Sequence, residues 1–176
     1  GLATQEVFNS GAKLVAGQNA AVVTNQFVDQ FITFGGSGLT LGLVCTMLYF
    51  SKSRQYKELG KLSIIPGLFN INEPIIFGFP VVFNPIMAIP FILAPVISAI
   101  MVYVSIATGI VEPFRAISVP WTTPFIISGF LIGGVKAAIL QIAVFSMTVA
   151  VYFPFFKYQD KLAYQEEQKI GTEATV

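Results

Sequence analysis

Glu73 is the one carboxylate in an apolar stretch, residues 67–78, with Asn70 and Asn72 just before it and Pro66, Pro74 and Pro80 punctuating the run. A carboxylate at membrane depth costs roughly 2.5 kcal/mol or more, so its presence points to a function. Each proline removes an N–H donor and clashes with the preceding turn, so the helix is expected to break here. Broken backbone deep in a bilayer survives only where protein or a cavity surrounds it. Asparagine supplies both a donor and an acceptor, and an ionised glutamate accepts at both oxygens. In one short loop these groups suit a neutral polyol better than an ion, a sugar with adjacent hydroxyls for example. The competing reading is structural: the asparagines satisfy orphan amides and carbonyls, and Glu73 caps a helix opened by Pro74. Capping and binding can coexist.

The elements that must position this stretch are membrane helices. Hydrophobic residues form 55% of the chain and charged residues 11%, against about 25% charge in a soluble domain. The apolar periodicity is helical, which predicts an all-α membrane protein of four or five segments at roughly 20 residues each. No basic stripe accompanies the net charge of +1, so nucleic acid is excluded as a partner. Cys45 is the only cysteine and there is no histidine, so no intrachain disulfide, cysteine-cluster metal site or histidine chemistry is available. No cofactor is expected. The chain opens at Gly1 with no signal-peptide pattern and is expected to be the C-terminal piece of a larger protein.

Residues 1–26 are mixed and predicted to form a loop or interfacial segment. Val23, Phe27, Val28, Phe31 and Ile32 then follow helical spacing, with Asp29 off the stripe as a solvated or helix-pairing acid. Residues 31–50 carry no charge and are long enough to span a bilayer. Within them Gly36, Ser37 and Gly38 admit two readings. Gly38 and Gly42 form a G-x-x-x-G pair that lets another helix approach, or backbone amides here face a polar ligand. Cys45 is expected to be an inert buried thiol. Residues 51–63 hold Lys52, Arg54, Lys57 and Lys61 against Glu58 and read as a cytoplasmic loop. Apolar segments follow at 62–83, 86–110, 119–134 and 137–156.

The segment 119–134, opened by Pro120 and Pro124, is short for a crossing and suits a re-entrant hairpin. With a second re-entrant stretch around Glu73, two full crossings return the chain to the basic side, and Lys136 falls in an interfacial connection. Glu112 and Arg115 are expected to pair. Gly129 and Gly133 make a second G-x-x-x-G. Trp121 serves either as an interfacial anchor or as a flat platform for a sugar ring. Tyr152, Tyr158 and Tyr164 fit an interface and a cytoplasmic exit, and 159–176 a polar, partly disordered tail.

These residues resemble a known family. Asn-Ile-Asn-Glu-Pro-Ile-Ile-Phe-Gly at 70–78, preceded by Lys-Leu-Ser-Ile-Ile-Pro-Gly-Leu-Phe at 61–69, is similar to the signature of the membrane IIC component of bacterial phosphotransferase sugar transporters. The branch it resembles is the lactose/cellobiose/chitobiose one. Phe34-Gly35-Gly36-Ser37-Gly38, Val119-Pro120-Trp121-Thr122-Thr123-Pro124 and the ending Phe153-Pro154-Phe155-Phe156-Lys157 resemble further signatures in the same order. The likeness runs from about Phe27 to Lys161.

The resemblance implies a homodimeric, multi-pass permease of the bacterial inner membrane with two re-entrant hairpins and a sugar between them. A cytoplasmic IIB protein phosphorylated on cysteine, charged in turn by IIA, would donate phosphate to the sugar's 6-hydroxyl. Glu73 would bind that hydroxyl and act as its base. Asn70, Asn72, Gly36, Ser37, Gly38, Trp121 and Thr122 would complete the sugar contacts. The chain would then be the C-terminal half of the permease domain over residues 1–161, embedded from about 27, with a cytoplasmic tail at 162–176. It would form part of a protein-phosphohistidine–sugar phosphotransferase complex without being phosphorylated itself or active alone. The family's N-terminal half and its histidine-bearing first hairpin are not in the chain. The other readings are a secondary transporter or channel with Glu73 as a proton or ion site, and a non-functional membrane fragment.

Overall fold

The structure, a computed structural model, describes residues 23–79, 81, 83–114, 117 and 119–173, with side chains to 170. Every regular element among them is helical: α1 (Asn25–Phe27) running into a π-turn (Val28–Ile32), α2 (Leu41–Phe50), α3 (Arg54–Leu68), α4 (Glu73–Gly78), α5 (Pro85–Ala107) and α6 (Ile127–Glu173). The all-α class expected from composition is the observed one. The loop or interfacial character expected of 1–22, and the Glu112–Arg115 pair through Arg115, fall outside the described residues.

The uncharged run 31–50 is not one span. Only Leu41–Phe50 is α-helix, and the chain before it is a π-turn and a glycine loop. The wide π-turn frees carbonyls for other elements. Phe31 O accepts from Ser98 Oγ at 2.6 Å and Gln30 O from Gln141 Nε2 at 2.7 Å. Gly35, Gly36 and Gly38 then take left-handed φ values of 72°, 90° and 80°, which no α-helix tolerates in series. Gly38 and Gly42 therefore do not share a helical face. Bare Cα atoms do admit close neighbours: the Phe91 ring of α5 at Gly38 and Thr148 of α6 at Gly42.

The basic stretch 51–63 is not a loop. Ser51–Ser53 turn the chain and α3 begins at Arg54. The reason lies in the C-terminal stretch, which is helical through Glu173 rather than disordered. Buried Asp160 accepts from Ser51 Oγ (2.6 Å), Lys52 N (2.8 Å) and Ser53 N (2.9 Å). Two turns on, Glu167 accepts from Ser53 Oγ (2.7 Å), Arg54 N and Gln55 N (both 3.1 Å). Two carboxylates on one face of α6 thus satisfy the orphan amides that open α3. Burial first, then Glu166, Asp160 and Glu167, push the phenol of nearby Tyr56 up.

α3 runs antiparallel to α2, with Gly60 against Met47 and Gly67 against Leu41. Pro66 does not break it but sits in its last turn. The break comes at Asn70, whose φ is 65°. Asn70 N bonds Gly67 O (3.1 Å) and Ile71 N bonds Pro66 O (3.0 Å), the paired 5→2 and 6→1 bonds of a Schellman ending with asparagine in the left-handed position.

α5 is capped by Asn84, which accepts from Ile86 N (3.0 Å) and Met87 N, and opens on Pro85. Its 23 residues reach about 34 Å, enough to cross a bilayer. It buries Met87, Pro90, Ala94, Ser98, Val102 and Ile106 along one stripe and leaves Ile92, Val96 and Ile100 exposed on the other. α5 and α6 are both long and apolar enough to span a membrane.

α6 is two arms joined at Gly134, where φ 68° and ψ −159° are open only to glycine. Gln141 Oε1 accepts from Gly129 N at 3.0 Å and from Ile126 N at 2.6 Å. Twelve residues along a straight helix would separate those groups by about 18 Å, so the arms fold back on one another. Fully buried Gln141 also donates to Ser128 Oγ at 2.9 Å. Gly129 and Gly133 are bare because Gln141 and Ala137 of the second arm lie against them, so this G-x-x-x-G packs within its own hairpin. Exposed Lys136 sits at the turn.

Candidate functional site

The antiparallel α2–α3 pair returns the chain to its starting end, which brings Asn70 to the glycine loop. Asn70 Oδ1 accepts from Gly35 N at 2.6 Å, and its Nδ2 donates to Trp121 O and to Thr123 O, the latter at 3.2 Å. One buried side chain therefore ties together stretches 34–38, 70–78 and 119–124. Asn72 adds a second tie, with Nδ2 donating to Ser37 O at 3.0 Å. A Cβ on Gly36 would collide with Asn72, so only glycine lets the two loops meet this closely.

The glycine loop is braced from behind. Thr40 Oγ1 donates to Gly35 O and Tyr152 OH to Gly38 O, both at 2.6 Å. Tyr152 is fully buried, so its place is under this loop rather than at an interface. Phe34 stacks on Phe125 at 5.7 Å, Phe125 meets Phe145 at 5.1 Å, and Phe31 stacks on Phe114 at 4.7 Å. An aromatic layer lies beneath the polar ties.

On the outer side stand groups of another kind. Glu73 is the first residue of α4 and is exposed; Asn72, not Glu73, occupies the cap position. Trp121 is 58% exposed while its carbonyl is held by Asn70. Ser37 is exposed and Thr122 half-buried. Gly36 and Gly38 are buried, which fits the packing reading of that loop. The expected site residues are thus brought together but divide by role. Asn70 spends both ends of its amide on backbone. Asn72 spends its NH₂ and keeps a carbonyl oxygen, and Glu73, Ser37 and Trp121 face outward. Asp29 is exposed, as a solvated acid would be, and Cys45 is a half-buried free thiol.

Gln141, Thr40 and Ser98 were not singled out by the sequence, and Tyr152 was assigned to an interface instead. A polar residue in the uncharged run 137–156 was the available signal for Gln141, because a buried amide in an apolar helix needs partners.

Residues 2–95 match the family described as "Phosphotransferase system, EIIC". The chain is 51% identical over 149 residues to the cellobiose-specific EIIC component of Geobacillus stearothermophilus, covering 84% of this chain and 33% of that protein. It is 44% identical over 151 residues to the lichenan permease IIC component of Bacillus subtilis (strain 168), covering 85% and 33%. The crystal structure of the transporter ChbC, the IIC component of the N,N'-diacetylchitobiose-specific phosphotransferase system, superposes with a TM-score of 0.89 at 42% identity, over 94% of this chain and 38% of that one. The chain spans about a third of the length of these curated relatives. With three signature stretches gathered on one asparagine and this likeness across the chain, it belongs to the phosphotransferase system EIIC family of membrane permeases.

Proposed function

We propose that this chain is the C-terminal, sugar-binding part of a permease that carries a β-linked disaccharide or oligosaccharide across the bacterial inner membrane while it is phosphorylated at the 6-hydroxyl. The relatives' names support the sugar class: they are a cellobiose-specific EIIC component, a lichenan permease IIC component and the IIC component of a diacetylchitobiose-specific system. The observation that carries the reading is the Asn70 clasp, which fastens the loops bearing Ser37, Glu73 and Trp121 into one surface.

In this reading the Glu73 carboxylate accepts a hydrogen bond from the 6-hydroxyl, Asn72 Oδ1 and Ser37 Oγ bond neighbouring hydroxyls, and the Trp121 face covers the apolar side of the ring. The 6-oxygen attacks the phosphorus carried on the cysteine of IIB. The O–P bond forms as the S–P bond breaks, the thiolate leaves with IIB, and the hydroxyl proton passes to Glu73. Alignment supplies most of the rate, since phosphoryl transfer asks the protein for positioning and charge stabilisation. The stretch around Glu73 and the segment 119–134 are the re-entrant elements, residues 52–61 and 162–176 face the cytoplasm, and the permease is a homodimer.

Glu73→Gln in the full-length permease tests this. Expected are sugar binding weakened at least tenfold, by the loss of a charge-assisted hydrogen bond of about 1.5–3 kcal/mol, loss of sugar-phosphate formation and an unchanged melting temperature. Wild-type sugar-phosphate production by this variant would falsify the assignment. Accumulation of unmodified sugar driven by a proton gradient would instead identify a secondary transporter.

A further inference from the structure

Where the apolar parts of α2 and α6 end, a cavity of about 520 Å³ opens between Phe50, Phe153 and Phe156 on one side and Lys52, Lys157 and Lys161 on the other. Phe50 meets Phe153 edge-on at 5.1 Å, and Lys157 Nζ lies 5.7 Å over the Phe153 ring. The three lysines are exposed, and among the described residues the ion pair is Lys61–Glu58, elsewhere. The one carboxylate lining the cavity, Asp160, has turned its oxygens to Ser51 Oγ and the Lys52 and Ser53 amides. The cavity is therefore apolar at its floor and cationic at its rim.

We propose that this cavity binds an anionic phospholipid, with its phosphate among Lys52, Lys157 and Lys161 and its upper acyl chains against Phe50, Phe153 and Phe156. The occupant follows from the register of the two helices. Each changes from aromatic to basic within one or two residues, Phe50 to Lys52 and Phe156 to Lys157, so the rim stands where a bilayer passes from hydrocarbon to headgroup. A free phosphate would use the lysines and leave the aromatic floor bare. Basic pockets between membrane helices at this level suit acidic headgroups, with each lysine near the surface contributing roughly a fivefold gain in affinity. The inference rests on the chain lying in a membrane and not on Glu73 or the sugar, so its failure leaves the transport reading untouched.

The test uses the full-length permease in neutral detergent, with native mass spectrometry after adding phosphatidylglycerol or phosphatidylcholine of matched chains. Wild type is expected to retain phosphatidylglycerol, and Lys157→Gln/Lys161→Gln to lose that preference by about 25-fold. Lys157→Arg/Lys161→Arg keeps both charges and should keep the preference, which separates lost charge from lost folding. Equal retention of the two lipids by wild type, or undiminished preference in the glutamine variant, overturns the proposal. Displacement of the lipid by millimolar inorganic phosphate would mean a simple anion site, and protection of Lys157 and Lys161 from acylation by IIB but not by lipid would mean a protein-docking site; either overturns it too.

Discussion

The Asn70 carboxamide oxygen accepts a 2.6 Å hydrogen bond from the amide of Gly35, which precedes α2 as Asn70 follows α3, at the shared open end of the hairpin. The other end of the same carboxamide donates to the carbonyls of Trp121 and Thr123. A residue whose type suggested a sugar contact is instead the strut that holds three loops in register, and it frees its neighbours to face outward.

Asn70→Asp keeps the acceptor for Gly35 but points a carboxylate oxygen at two carbonyls. It should destabilise more than Asn70→Ala, which leaves the Gly35 amide and two carbonyls without their partner at about 1–3 kcal/mol for each buried group. Thermal unfolding of the two variants of the full-length permease in detergent checks the order. An unchanged melting temperature in Asn70→Asp would remove the strut role.

Gln141→Leu fills the same space without polar atoms and strips partners from Ile126 N, Gly129 N, Gln30 O and Ser128 Oγ. A loss of about 2–4 kcal/mol is expected, because buried polar groups left unpaired cost more than a hydrogen bond returns. Gln141→Glu keeps the acceptor for the two amides but points a carboxylate oxygen at Gln30 O in a fully buried site, so it should not recover the loss. Denaturant titration of both variants reads the two losses.

Gly134→Ala puts a Cβ on a backbone conformation reserved for glycine, although no side chain stands within 4 Å of that position. The cost is backbone strain alone, about 1–3 kcal/mol. The drop should therefore be similar for Ala and Ser at this position. A much larger loss for Ser would indicate a steric clash and contradict the geometry.

Asp160→Ala removes the acceptor for Ser51 Oγ and the Lys52 and Ser53 amides. Its expected cost is about 1–3 kcal/mol, with proteolysis appearing first near Ser51–Ser53. Glu167→Gln, on a half-buried side chain, should cost under about 1 kcal/mol.

Class and composition of the fold were legible in the sequence because hydropathy and helical period are local properties. The α5 span, expected at 86–110, is found at Pro85–Ala107. What misled was local reading of long-range effects. The apolar run 31–50 looked like one span because glycines are permissive in a membrane helix, yet Asn70, Thr40 and Tyr152 bind the carbonyls and amide of a loop there. The tail looked disordered because it is polar, but Asp160 and Glu167 have partners a hundred residues upstream. Glu73, Ser37 and Trp121 were visible by type. The distinction between Asn70 as strut and Glu73 as outward acid is set by hydrogen bonds to Gly35, Trp121 and Thr123, which lie far away in the chain.

Whether Asn70 holds the three stretches together is read most directly by amide hydrogen exchange on the full-length permease, wild type against Asn70→Ala. Peptides covering 34–38 and 119–125 should both exchange faster in the variant, with Gly35 leading, while α5 keeps its protection. Unchanged exchange in both loops would show that they are held without Asn70 and would contradict the clasp.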